Sequence, residues 1–140
     1  NRAAASTGRI FRVVNASQFS AINLGGGTAT VSATMSDWNI WTYSQNAGST
    51  FTLSLNGGSS SASSVNPAYV DSTGELRVGA SGTFSGAGGA WLGDIAEFIW
   101  CSEFLSTTDV QKMEGYLAWK WALEANLPPG HPYRNSPPTA

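Results

Sequence analysis

What most constrains this chain is a repeated alternation, with period two, of apolar and hydroxyl-bearing side chains. In residues 28–35, Ala29, Val31, Ala33 and Met35 share one side, while Thr28, Thr30, Ser32 and Thr34 share the other. Successive strand residues point to opposite faces, so this stretch is expected to be a strand with one side in a core. Phe51, Leu53 and Leu55 repeat the pattern against Thr52, Ser54 and Asn56. Asn56-Gly57-Gly58 then supplies residues that accept the positive φ of a tight turn. Residues 9–14 and 19–24 are further β-prone runs, followed by a Gly25-Gly26-Gly27 turn. Residues 38–43 are apolar on both sides, with Trp38 and Ile40 on one and Trp41 and Tyr43 on the other. The serine-rich residues 59–64 read as a mobile loop, residues 75–79 as another short strand, and residues 79–89 as a glycine-rich loop. Short strands with regular turn punctuation predict an all-β antiparallel sandwich of the jelly-roll type.

Composition narrows the function classes. The 140 residues suit one domain over residues 9–140, with residues 1–8 as a linker or frayed end. Charged residues are 11% of the chain, about half the usual share. Six Trp, six Phe and four Tyr supply large buried area and argue against disorder. The net charge is −2 and the basic residues are scattered, so nucleic acid is not an expected partner. No apolar run reaches the length of a membrane span. The sequence starts at Asn1 rather than Met, so a processed product or a piece of a longer protein is expected. Cys101 is the single cysteine, which rules out an intrachain disulfide and predicts a small buried or half-buried side chain.

Residues 93–133 hold the strongest helix signal. Residues 94–101 read as a strand with Ala96, Phe98 and Trp100 facing the core. Ile95, Glu97 and Ile99 share its other face, which the following helix is expected to cover. Ser106 is a suitable N-cap with Asp109 as its capping-box partner, and the helix is expected over residues 107–123. Val110, Met113, Leu117 and Trp121 form one face, and Tyr116, Trp119 and Leu123 form roughly the opposite one. The second face needs a cover, either the proline-rich residues 127–133 or a neighbouring subunit.

Several pieces in order resemble a known family. They are Leu55-Asn56-Gly57, Val78-Gly79, Gly93-Asp94-Ile95-Ala96-Glu97-Phe98-Ile99, Phe104-Leu105-Ser106 and Met113-Glu114-Gly115-Tyr116-Leu117-Ala118-Trp119-Lys120-Trp121. Together they resemble the laminin-G-like or concanavalin A-like lectin-glucanase jelly-roll domains appended to bacterial and phage surface or virion proteins. In those domains a G-x-I-A-E strand precedes an L-S turn and a helix ending in Y-L-A-x-K-W. The resemblance covers residues 38–133. It implies two antiparallel sheets with a C-terminal helix. Such domains usually have further strands before the region matching Arg9, which implies an open sheet edge that a partner or another domain covers. This superfold hosts lectins, glycosidases, adhesion modules and virion proteins, so the resemblance constrains function only loosely.

The candidate sites follow from side-chain chemistry. Asp94 and Glu97 are three apart on an expected strand and face opposite sides, so they cannot flank one glycosidic bond. His131 lies between prolines with no nucleophile motif near it, and a structural or solvent-exposed role is expected. Nothing in the glycine-rich loops matches a phosphate-binding fingerprint. The resemblance brings calcium into view through Asp37, Asp71 and Asp94, but isolated turn aspartates usually bond their own backbone. No cofactor is otherwise expected. For a sugar, Trp41, Tyr43 and Trp91 are the candidate stacking rings, with packing inside the protein as the competing and favoured reading. Trp119, Tyr116 and Leu123 are candidate interface residues. Asn15-Ala16-Ser17 is an N-glycosylation triplet.

The expected function is a non-enzymatic structural or interaction module of a virus particle, such as a capsid decoration, fibre or tail protein, acting as a homo-oligomer or within a larger assembly. The alternative is a carbohydrate-binding module on a bacterial or phage surface protein, binding surface glycans. A fragment of a glycan-cleaving enzyme is the third and least supported reading. The expected location is a virion or the cell surface.

Overall fold

A computed structural model describes residues 9–23, 26–45, 50–58, 60–64, 78, 91 and 93–139. The alternating segments form two antiparallel sheets. β1 (Arg9–Asn15), β2 (Gln18–Asn23) and β3 (Thr28–Ser32) make one, in that order. β4 (Trp41–Gln45), β5 (Thr50–Leu55) and β6 (Ser60–Ser64) make the other. The class is therefore mostly β, with two three-stranded sheets and one C-terminal helix.

Register explains the core. Phe19 lies opposite Val13 and Val31, and Ala21 lies opposite Phe11 and Ala29. Leu53 lies opposite Tyr43 on the second sheet. Residues directly opposite share a face, so Phe19, Ala21, Ala29 and Val31 of one sheet meet Phe51 and Leu53 of the other in a single buried cluster. Burying a side chain of the Phe or Leu type contributes about 1.5–3 kcal/mol. The sheets join along one side, where the Gly27 N–H donates to Ser64 O at 2.8 Å. A Cβ at Gly27 would overlap the Ser63 hydroxyl, so glycine permits this approach.

The expected strand at residues 28–35 ends at Ser32, but the chain beyond it still bonds the β1–β2 turn. Ala33 N–H donates to Ser17 O and Met35 N–H to Ala16 O. At residues 38–43 the ladder begins at Trp41, and Trp38 is exposed. The two-faced reading holds for Ile40 and Trp41: Ile40 packs with Ala118 and Leu127, while Trp41 packs on the inter-sheet core.

Residues 59–64 were expected to be a loop, but Ser60–Ser64 form β6, paired along β5 from Ser54↔Ser60 to Thr50↔Ser64. A ladder is made by the backbone, and an ordered edge recruits even a serine run. Residues 94–101 depart in the other direction. No strand is assigned there, and Phe98 and Trp100, expected in the core, are exposed. Propensity alone does not make a strand, and among the described residues no ladder partner accompanies this segment. Cys101 is likewise exposed rather than buried. The expected strand at residues 75–79 and loop at residues 79–89 lie outside the described residues, apart from Val78.

α1 (Thr107–Lys120) starts as its sequence dictates. The Ser106 hydroxyl accepts from Asp109 N–H at 3.2 Å and donates to the Asp109 carboxylate at 2.6 Å. The helix ends three residues short of the expected 123. Ala122 takes a positive φ of 56°, and Leu123 N–H turns back to Ala118 O at 2.7 Å. That is a Schellman-type reversal with alanine where glycine is usual. A short 3-10 turn, Glu124–Asn126, follows. The fully buried helix positions are Glu114, Gly115 and Ala118; of the expected stripe, Val110, Met113 and Leu117 are half-buried, with Leu117 packed beside Ala118 and Leu127, and Trp121 is exposed. The helix turns its small and polar side inward because a hydroxyl-rich sheet face and the tail lie there.

Ala122→Gly is expected to raise the free energy of unfolding by about 1 kcal/mol, by relieving a left-handed alanine. Ser106→Ala is expected to lower it by about 1 kcal/mol through loss of the cap. Urea denaturation followed by far-UV circular dichroism measures both.

Candidate functional site

The outer face of the second sheet is built by the same alternation that makes its core. Trp41, Tyr43, Phe51 and Leu53 point inward, which sends Thr42, Ser44, Thr52, Ser54 and Ser60 to the other side. α1 lies over this face. Its Glu114 is buried and accepts from Thr42 Oγ1 at 2.7 Å. The second carboxylate oxygen of Glu114 faces His131 Nε2 at 3.4 Å. His131 is buried too, and its Nδ1 accepts from Tyr133 N–H at 3.3 Å. An acceptor at Nδ1 assigns the ring proton to Nε2, pointing at Glu114.

The β5–β6 turn closes this joint. Asn56 and Gly57 both have positive φ, at 51° and 68°. Asn56 ties down the end of the β4–β5 ladder: its N–H donates to Ile40 O and its side-chain Oδ1 accepts from Ile40 N–H, each at 2.8 Å. Gly57 then sits against the imidazole, where a Cβ would come within 2.8 Å of His131 Cδ2. The tail continues across the helix. A Cβ on Gly115 would lie 2.5 Å from Tyr133 Cβ, and Trp119 Nε1 donates to Tyr133 O at 2.8 Å.

A hydroxyl-lined groove of ≈ 240 Å³ remains between the sheet face and the first turns of α1. Ser44, Thr52, Ser54, Ser60, Gln111 and Glu114 line it together with Phe104, Leu105 and Val110. Phe104 is 62% exposed. Among the described lining residues the one carboxylate is Glu114, whose two oxygens are both engaged, and the imidazole of His131 has both nitrogens engaged.

A second cavity of ≈ 230 Å³ brings Asp37 and Asp94 together with Ser36 and Trp38. No group of three or more metal-ligating side chains occurs among the described residues. Asp71, the third calcium candidate, lies outside them.

The candidate sugar-stacking rings are engaged between the sheets. Trp41 stacks on Phe19 at 4.0 Å, Tyr43 packs on Phe51 and Phe11 at 5.3 and 5.2 Å, and Trp91 meets Phe19 edge-on at 6.0 Å. Of the candidate interface residues, Tyr116 and Trp119 are exposed, while Leu123 packs beside Ile40, Ala118 and Leu127. Phe104 and Glu114 did not stand out in the sequence. A hydroxyl at every second residue of two paired strands is the signal that points to a polar outer face.

Glu97 straps residues 94–101 to the helix. It accepts from Trp121 Nε1 at 2.8 Å, from Lys120 Nζ at 3.1 Å and from Tyr116 OH at 3.3 Å. The Trp121 bond, and after it Lys120, hold the Glu97 carboxyl below its ordinary range, against opposing desolvation. The Tyr116 hydroxyl and then Glu97 hold the Lys120 ammonium above its own. Asp94, three residues away, is exposed and belongs to the second cavity, so the two carboxylates do not share a site.

Comparison with protein-family models, curated proteins and solved structures gives no match.

His131→Leu leaves a buried Glu114 oxygen without its partner and is expected to cost about 3 kcal/mol or more. Removing both side chains in Glu114→Met/His131→Leu is expected to cost less than the sum of the single changes, measured as a double-mutant cycle in urea. Additive losses would mean that the two side chains act independently. For the strap, a lowered folded-state pKa means that Glu97 contributes stability above the free glutamate value of about 4.3. That contribution is lost as pH falls through its folded value. Glu97→Gln is expected to flatten this acid limb, read from unfolding midpoints between about pH 2 and 6.

Proposed function

We propose that this chain is a non-enzymatic structural module on a lectin-like jelly roll, which packs against protein partners, first of all further copies of itself. A virus particle or a cell-surface assembly is the setting, with the chain as a decoration, fibre or tail component. The observation that carries this reading is an apolar belt. Ile95, Phe98, Ile99, Trp100 and Phe104 are between 37% and 62% exposed, beside the exposed Tyr116 of α1 and Trp121 at its end. Grouped exposed aromatics of this kind mark contact surfaces. The free edge adds to it. β1 ends its sheet among the described strands and carries exposed Phe11, Val13 and Val14. Identical edge strands pair antiparallel about a two-fold axis, which makes a second copy a fitting occupant. The non-enzymatic part is supported by a groove in which the one carboxylate among the described lining residues is already engaged twice.

Light scattering after gel filtration tests this. The wild-type chain is expected to form a concentration-dependent oligomer. Trp100→Glu or Val14→Asp is expected to shift it to monomer with an unchanged circular dichroism spectrum. A wild-type chain that stays monomeric at every concentration would reject self-assembly.

One observation favours a second reading, carbohydrate binding. The groove beside α1 offers hydroxyls and an amide below an exposed ring, Phe104, which is the chemistry that grips a sugar by its polar edge and apolar face. A glycan array answers it: binding lost in both Phe104→Ala and Thr52→Val supports this reading, and a blank array removes it.

A further inference from the structure

The β1–β2 turn carries a motif that neither reading above uses. Asn15-Ala16-Ser17 is the chain's one Asn-x-Ser/Thr triplet, and its middle residue is not proline. All three residues are exposed. Asn15 Oδ1 accepts from the Ser17 backbone N–H at 2.9 Å and from the Ser17 hydroxyl at 3.0 Å. The Asn15 amide nitrogen donates to Gln18 Oε1 at 3.0 Å. The carbonyls of Ala16 and Ser17 accept from Met35 and Ala33 N–H, which fixes the turn against the segment after β3.

Two features make this turn a fitting acceptor. Its carboxamide stands outside the core, whose nearest members, Phe19 and Val31, point between the sheets. A bulky group on Asn15 therefore displaces no packed side chain. The Ser17 hydroxyl already meets the carboxamide oxygen, and two donors on that oxygen draw electron density from the amide and make its N–H more acidic.

We propose that Asn15 is an N-linked glycan acceptor in any compartment that holds a lipid-linked oligosaccharide pyrophosphate and its transferase. In the transfer, Nδ2 loses one proton to the transferase's base and forms a bond to the anomeric carbon of the sugar. The bond from that carbon to the pyrophosphate oxygen breaks, and the lipid pyrophosphate leaves with the electron pair. No oxidation or reduction takes place. This inference is independent of the assembly reading.

The test is to direct the full chain through the secretory route of a eukaryotic cell and measure its intact mass before and after peptide-N-glycosidase treatment. The expected result is a glycan that the enzyme removes, leaving aspartate in place of Asn15. Asn15→Gln and Ser17→Ala lose the glycan, while Ser17→Thr keeps it with an unchanged circular dichroism spectrum. Folded, secreted wild-type chain with no glycan on Asn15 overturns the proposal, and so does a glycan that persists in Asn15→Gln.

Discussion

The structure depends on one buried contact, the Glu114 carboxylate held between Thr42 and His131. Three separate parts of the chain meet there: the middle of β4, the inner side of α1 and the tail. The β5–β6 turn closes over the imidazole through Gly57. A buried carboxylate without partners is costly, so the helix settles where both of its oxygens find donors. That requirement is met where Glu114, Gly115 and Ala118 face inward, with Leu117 packed beside Ala118 and Leu127, while Trp121 and Tyr116 face out. Hydrophobic burial supplies most of the stabilisation here, as in other folds. The carboxylate supplies the choice of which helix face is buried, a role that buried polar groups serve in some proteins.

The sandwich was legible because its physics is local. Alternation at Ala29, Val31, Phe51 and Leu53 assigns inner faces directly, and all four are buried. The Asn56-Gly57 turn and the Ser106 cap were equally readable, since each depends on the backbone preference or hydrogen bond of one or two residues. The tail was readable as a cover because prolines cannot prolong a helix. Its Leu127 and His131 are buried and its Tyr133 crosses Gly115.

What could not be read depends on partners distant in sequence. Residues 94–101 have strand-like composition, yet a strand exists only where another backbone pairs with it. Residues 60–64 have loop-like composition, yet β5 offers them a ladder. The joint at Glu114 was not readable for a related reason. Thr42 and Glu114 are 72 positions apart, and no local pattern connects a threonine in one strand with a glutamate in a helix. The aromatic residues were ambiguous because a ring is equally suited to a core or to a ligand. Trp41 and Tyr43 are committed to Phe19 and Phe51, whereas Phe104 is left at the groove.

The distribution of apolar surface then follows from how the helix is seated. This seating leaves Tyr116 and Trp119 of α1 and the cap residue Trp121 outside, where the Glu97 strap gathers Tyr116, Lys120 and Trp121 around one carboxylate. The Lys120 ammonium lies 5.2 Å from the Tyr116 ring centre and 5.7 Å from that of Trp121. A cation over two rings satisfies their faces electrostatically but does not remove their edges from water. The strap therefore organises this surface without burying it, and holds residues 94–101 beside α1 with Phe98 and Trp100 exposed. An exterior kept in order by hydrogen bonds and ring contacts needs less rearrangement on docking, which lowers the entropic cost of association. The contact that chooses the inner face of the helix thus also determines which aromatic surface the protein presents to its surroundings.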